Sequence, residues 1–323
     1  MQKAAIYILT QNNIERKIYL KTCLYFLFKN FNSKYKYPII ILHEGDYDDN
    51  AKTEILLSIR SDCRYVINFK KIDEGDFNVP QHIDIDKMNK CINSNPVPYW
   101  RNQKYRSMCY FWIKHFFKYC KEYDYIMRLD DDSIIEENIN IDVFELLEKN
   151  DLNYVSNIIH MDCSICNYEM KDFFINSFPD KKDKIQELFN DHIIDSSSEH
   201  FDKFKIFYKA LKNKDYLDKD VSMSMPIMYY NNFSITRTNV WYTNEIIDMI
   251  NEIDKNGNIF YCRWGDAPLQ TIIMKLYDNN KLSQFIFKYS KRLQRESFKD
   301  YNNIFHNYMP STYEKSSCIT DNK

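Results

Sequence analysis

Three consecutive aspartates, Asp130, Asp131 and Asp132, close an apolar run in the stretch YDYIMRLDDDSII, residues 123–135. Like charges side by side repel, so folding gains nothing from clustering them. A cation held between two of them removes that cost. Asp130 and Asp132 stand two apart, and in a turn that spacing lets both carboxylates converge on one ion, with Asp131 pointing away or towards a ribose. Hard divalent ions take oxygen ligands, and Mg2+ or Mn2+ commonly spans a protein carboxylate and a diphosphate. Such an ion neutralises charge on a departing nucleotide diphosphate. A solvated acidic turn, or a helix N-cap supplied by Ser133 or Asp132, accounts for the same residues without chemistry. The metal reading gains weight where the pair closes a buried strand of an α/β sheet.

Other residues could work beside this cluster. Arg128, two positions upstream, either pairs with a carboxylate or faces phosphates, and a structural ion pair under a sheet is its plain role. Tyr105 and Arg106 open a helix-like segment, where a phenol and a guanidinium could hold a base and a phosphate or simply pack and pair. In RWGDAP, residues 263–268, Gly265 allows an unusual backbone turn and Pro268 suits a first helical turn. Asp266 stands where a helix cap would, so capping competes with catalysis as its explanation. Cys163 and Cys166 form the one CxxC, and no second pair completes a zinc site.

These residues need elements to position them. AAIYIL (4–9), YPIIILHE, RYVINF, YDYIMRL and NYVSNII read as strands, with helical segments near 14–30, 49–59, 103–120 and 141–149. Strands alternating with helices predict an α/β fold with a mostly parallel sheet, whose ligands sit at the carboxyl ends of its strands. The first strand ends at Thr10 and the fourth at the aspartates. On the 103–120 helix the apolar face carries His115, which reads as a satisfied core histidine. Residues 73–102 lack periodicity and hold Pro80, Pro96 and Pro98, which suggests a long surface excursion. Residues 168–220, rich in Lys and Asp, suggest a lid or insertion with a solvated charged face. A strand-like PIMYYNNFSI, a helix near 239–253 and a helix opened by RWGDAP follow. The expected unit is a single domain over 1–310 with a polar tail at 311–323.

Composition narrows the function classes. With 323 residues, 44% of them hydrophobic, the chain is globular and large enough for a sizeable core. Its 44 basic and 46 acidic residues nearly cancel, which argues against a general nucleic-acid or membrane-surface binder. Only 4 glycines occur, which excludes a glycine-rich phosphate loop. Nine scattered cysteines read as thiols of a reducing compartment. With no apparent signal peptide or membrane span, the expected location is cytoplasmic. The sequon Asn232-Phe233-Ser234 falls in a candidate functional segment, where a glycan would be harmful.

Four segments, taken in order, resemble the fungal KTR-type α-1,2-mannosyltransferases, retaining glycosyltransferases of the GT-A fold. They are YRSMCYFW (105–112), YDYIMRLDDDS (123–133), YYNNFSI (229–235) and, most specifically, FYCRWGDAPLQTI (260–272). The resemblance spans roughly residues 3–290 and implies a divergent member. It implies a nucleotide-sugar donor (GDP-mannose in the family), a Mn2+ (or Mg2+) ion, a glycan or glycoprotein acceptor, and transfer with retained configuration. It makes Asp266, Ser234 and Arg263 the candidate catalytic residues and Thr10, Tyr105, Arg106, Arg128, Asp130 and Trp264 the candidate donor contacts. Asp130 and Asp132 are the candidate metal ligands.

Departures from the family pattern bear on mechanism. Ser234 stands where the family has Glu, and a hydroxyl is a poor substitute for a carboxylate in a covalent double displacement. Departure of the leaving group and attack by the acceptor on one face is therefore the expected route. The family's metal-binding His has no clear counterpart. FKYSKRLQ carries Lys291 and Arg292 in that neighbourhood, and two cations there would partly replace the metal's work on a diphosphate. No segment here reads as the family's membrane anchor, so a Golgi location is not expected from the resemblance. A catalytically inactive glycan- or protein-binding relative is the alternative, motivated by Ser234 and the absent His. Intact Asp130, Asp132 and Asp266 speak against it. A phosphoryl-transfer or nuclease enzyme would lack a phosphate loop and a nearby general base. The sugar and the oligomeric state are not legible.

Overall fold

The structure, a computed structural model, describes residues 2–95, 101–214 and 220–291. Seven strands form the central sheet: β1 (Ala4–Leu9), β2 (Ile39–His43), β3 (Ile67–Lys71), β4 (Tyr125–Leu129), and β6 (Tyr154–Ser156), β10 (Phe233–Arg237) and β11 (Leu282–Gln284). Their order is β11-β6-β10-β4-β1-β2-β3. β1 to β4 pair in parallel, β11 runs parallel to β6, and β10 lies antiparallel to both β4 and β6. One strand thus opposes the other six. The mostly parallel sheet expected from the alternation is present.

Period-two alternation divides the core between the two faces of this sheet. Ala4, Ile6, Ile8, Ile39, Ile41, Met127 and Leu129 pack on one side with Leu20, Leu24, Val143 and Phe144 from flanking helices. Ala5, Tyr7, Ile40, Leu42 and Ile126 pack on the other, with Trp112, Phe116, Leu269 and Ile273. Arg128 is two residues beyond Ile126, so it belongs to this second side, under Trp112.

Two smaller sheets complete the fold. β5 (Ser133–Ile135) pairs antiparallel with β12 (Tyr289–Lys291), placing Lys291 opposite Ser133. β7 (Ile159–Met161), β9 (Val221–Tyr229) and β8 (Phe189–Ile194) form an antiparallel sheet. The single run PIMYYNNFSI therefore splits between β9 and β10, because Tyr230-Asn231-Asn232 turns the chain from one sheet into the other. RYVINF also begins as a 3-10 turn, Ser61–Val66, before β3.

The long helix expected over 103–120 changes winding along its length. Gln103–Tyr110 is α, Phe111–His115 is π and Phe116–Tyr119 is 3-10. A π turn inside a helix frequently marks a functional place. Here it carries Trp112, whose ring lies 4.4 Å from that of Phe116 and also packs on the Arg128 guanidinium. His115 is half-buried, with its ring edge-on to Tyr110.

Residues 168–220, expected as a lid or charged insertion, carry helices Met170–Ser177, Lys182–Glu187 and Glu199–Lys212 and strand β8. Phe174, Ile185, Phe201, Phe204, Phe207 and Leu211 enter the larger core from them. The charge run is only the outer face of these amphipathic elements, whose apolar positions hold the segment down. Residues 215–219, Pro96, Pro98, Arg292 and the 311–323 tail lie outside the described residues. No disulfide joins the described cysteines, and no described helix is long and apolar enough to cross a membrane.

Candidate active site

The aspartate turn leaves β4 at its carboxyl end. The Asp130 N–H donates to the Asn232 carbonyl (2.9 Å) and the Ser133 hydroxyl donates to that same oxygen (3.0 Å), so the turn is sewn to the start of β10. The three side chains then part company. Asp131 is fully buried and accepts from Thr10 Oγ1 (2.7 Å) and from the Arg16 guanidinium, whose Nε lies at 2.9 Å. Asp130 accepts from Arg128 Nε (3.2 Å) and Nη2 (3.1 Å) on one oxygen and from Lys291 Nζ (3.0 Å) on the other. Asp132 lies 3.7 Å from Arg16 Nη1 and 3.9 Å from Lys291 Nζ. Burial alone would raise the Asp130 pKa, but the Lys291 and Arg128 charges outweigh it and hold it at about 2.

Behind the turn, Arg128 is buried with its guanidinium 3.8 Å from the Trp112 ring centre. Its Nη1 donates to Asp266 Oδ2, so one guanidinium joins Asp130 to Asp266. Asn231 Nδ2 donates to the same Asp266 oxygen (2.9 Å) and to Gln270 Oε1 (2.8 Å). Gln270 is anchored in turn on the Trp112 carbonyl (3.1 Å). Charge-assisted bonds of this kind are shorter and about twice as strong as neutral ones.

Asp266 is the first residue of the Asp266–Asp278 helix, and the N-cap is Gly265. The Asp266 side chain makes no capping bond, which corrects the cap explanation. A carboxylate at a helix N-terminus is still favoured by the helix dipole. The unusual backbone is also displaced from its expected place. Gly265 has an ordinary φ of −76°, whereas Arg263 is left-handed at φ 75°. What Gly265 supplies is room: a Cβ there would stand 3.2 Å from Pro268 Cδ.

The remaining candidates fall into two groups. Ser234 pairs with Arg128 across β10 and β4 and is buried near the Tyr154 phenol, which donates to Gln270 Oε1 (3.5 Å). Tyr105 is half-buried, with Arg263 standing 5.6 Å from its ring centre. These two adjoin the Arg128–Asp266 network. Arg106 and Trp264 do not open onto it. Arg106 is fully buried and donates to the carbonyls of Phe260 (2.6 Å) and Arg101 (3.3 Å), while the buried Trp264 indole donates to the Tyr168 carbonyl (2.9 Å). These contacts brace the wall, while Arg106 Nη2 is buried without a hydrogen-bond partner. Thr10 is taken up by Asp131. The sequence offered no signal for Arg16, whose partner is 115 positions away. Asn231 stood inside a quoted segment without being singled out.

A cation fits between Asp130 and Asp132, because the Lys291 ammonium is already there as a stand-in. Among the described residues no group of three or more His, Cys, Asp or Glu converges. A divalent ion would thus have two protein carboxylates and complete its shell from phosphate oxygens and water.

Comparison with known proteins bears on the family and the fold. The family model described as glycolipid 2-alpha-mannosyltransferase matches residues 1–299. The O-glycoside alpha-1,2-mannosyltransferase omh1 of Schizosaccharomyces pombe is 23% identical over 258 residues, 77% of this chain and 58% of that protein. The Saccharomyces cerevisiae glycolipid 2-alpha-mannosyltransferase is 24% identical over 84% of this chain and 57% of its own. The chain therefore spans less than two thirds of the length of these relatives. Among solved structures, S. cerevisiae Ktr4p in complex with GDP superposes with a TM-score of 0.70 at 20% identity, covering 89% of this chain and 71% of that one. Core-mannan synthase A from Aspergillus fumigatus, in its Mn/GDP form, gives 0.66 at 19% identity over 88% and 73%. The sheet is that of the GT-A glycosyltransferases, and the chain belongs to the glycolipid 2-alpha-mannosyltransferase family.

Proposed function

We propose that the chain is a retaining glycosyltransferase that moves mannose from GDP-mannose to a hydroxyl of a glycan or glycoprotein acceptor. The observation that carries this reading is the single guanidinium, Arg128, that ties a candidate catalytic carboxylate to the carboxylate pair at the end of β4. Asp130 and Lys291 keep 21% and 24% of their side-chain surface open, so they are the parts of this network that a ligand reaches first. The diphosphate then lies against Lys291 and Arg16, with Asp130 and Asp132 as the residues that would hold a divalent ion. When bound, that ion would supply counter-charge to the departing nucleoside diphosphate.

Asp266 is the catalytic carboxylate in this reading. Arg128 and Asn231 hold it in one orientation. A fixed negative charge there stabilises the positive charge that develops on the sugar as the bond to phosphate breaks. Ser234, buried across the strand pair from Arg128, lines the floor without forming a covalent bond. Arg263, held over Tyr105, orients the sugar or the acceptor.

The test is transfer of radiolabelled mannose from GDP-mannose to a mannoside acceptor, with the product's anomeric configuration read by NMR. An α product with Asp266→Asn slower by about a hundredfold supports the reading. A β product, or full turnover in the variant, sinks it. GDP binding with no turnover under any condition would favour the non-catalytic relative.

A further inference from the structure

We propose that Lys291 is the resident cation of the Asp130–Asp132 pair, so that the chain binds a nucleoside diphosphate without a divalent ion and Mn2+ enters only by displacing the lysine. The proposal rests on the donor-binding reading above and specifies how that site is neutralised.

Position is the first argument. Lys291 Nζ lies 3.0 Å from Asp130 Oδ2, 3.9 Å from Asp132 and 3.3 Å from the Tyr230 hydroxyl. An ion bonded to Asp130 Oδ2 and Asp132 Oδ1 would compete with that ammonium for the oxygens it faces. Delivery is the second argument. Lys291 opposes Ser133 in the β5–β12 pair, and the hydroxyls of Ser133 and Tyr289 are 2.6 Å apart. The backbone that carries the lysine is thus fixed one residue from the aspartate turn.

Charge is the third. Asp130, Asp131, Asp132 and Asp266 face Arg16, Arg128 and Lys291, four carboxylates against three cations. Only one negative charge is left uncompensated, so a dication has little to neutralise before a diphosphate arrives. Incoming phosphate oxygens instead find a lysine whose side chain is 24% exposed, with three donors and one committed closely to Asp130. Lys291 can turn toward them without leaving the site.

The experiment measures Mn2+ affinity by electron paramagnetic resonance and GDP affinity by calorimetry, in EDTA and in MnCl2, for the wild type, Lys291→Met and Lys291→Arg. The wild type should bind GDP in EDTA. Lys291→Met should lose about tenfold or more of that affinity, the usual scale of one charge-assisted contact. It should also bind Mn2+ about tenfold more tightly in the absence of nucleotide. Lys291→Arg should keep metal-free GDP binding. If Lys291→Met melts early, Lys291→Gln carries the same comparison. Unchanged or weaker Mn2+ binding in the neutral variants overturns the proposal, as does wild-type GDP binding that appears only with Mn2+. Tighter Mn2+ binding in Lys291→Met with no GDP bound by any form would uphold the competition and overturn the donor reading instead.

Discussion

Replacing Asp266 by Asn removes one charge from the Asp266–Arg128–Asp130 chain while preserving shape. Breaking a buried ion pair by deleting one partner costs about 3–5 kcal/mol when the other charge is left uncompensated. Arg128 is not left so. It keeps two contacts to Asp130 at 3.1 and 3.2 Å and its place over Trp112 at 3.8 Å. A desolvated cation over an indole retains about 2 kcal/mol, and the amide oxygen still accepts one bond. The expected loss is therefore about 2 kcal/mol. Arg128→Met should cost more, about 3–4 kcal/mol, because it leaves Asp266 buried with only Asn231 as a neutral donor. The double variant should then cost less than the sum of the singles by about 2 kcal/mol, since each substitution removes what the other needed. Urea denaturation of the four proteins at neutral pH and low salt gives the coupling directly. Additive losses within about 0.5 kcal/mol would show that Arg128 is held by Trp112 and Asp130 alone, and would remove Asp266's claim to be fixed for catalysis.

Other outcomes follow from individual contacts. Gly265→Ala should destabilise by about 1–3 kcal/mol, because the new methyl meets the rigid Pro268 ring at 3.2 Å; an unchanged melting temperature would show that the turn relaxes freely. Asp132→Ala should leave the chain folded but abolish any gain in GDP affinity on adding Mn2+, since one carboxylate is too few for that ion; a preserved gain would move the metal elsewhere. His43 is buried, accepts the Gly45 N–H on Nδ1 (3.0 Å), and has its pKa lowered by burial despite Asp46 nearby. Its folded pKa lies below the unfolded value of about 6.5, so its contribution is present above that pH and lost as pH falls. His43→Asn, which keeps an acceptor but cannot titrate, should lose less stability between pH 7.5 and 5 than the wild type; identical curves would contradict this.

The legible parts of this molecule are those where local chemistry and tertiary role coincide. The apolar strands that end at Thr10 and Leu129 announced a parallel sheet, and the aspartates do lie at the end of β4. β10 could not be oriented from its residues, because a strand buried on both faces reads alike in either direction. The π turn at Phe111–His115 was hidden for a related reason: its apolar spacing fits an ordinary helix. Arg106 and Trp264 show the converse. Their types suggested ligand contacts, and nothing in the sequence signalled that Arg106 Nη1 and the Trp264 indole donate to the Phe260 and Tyr168 carbonyls. Glycine misled at Gly265 because the left-handed residue is Arg263, two positions earlier, where no sequence rule would put it. Arg16 lay beyond reach, since its partner Asp131 is set by the packing of the Ile14–Leu27 helix rather than by proximity in the chain.

The distribution of counter-charges also constrains how the chain assembles. Arg16 arrives from the first helix, Arg128 from the middle of the sheet and Lys291 from the last described strand. Until β12 docks on β5, Asp130 lacks the lysine that holds one of its oxygens. Such long-range closures are slow, because the entropy of bringing distant segments together comes due before the contacts that reward it. The aspartate turn should accordingly be among the last places to reach its final form during synthesis or refolding. A stalled chain lacking β12 would expose an acidic, loosely held turn on an otherwise formed sheet, a species that amide exchange at Asp131 to Ser133 would reveal.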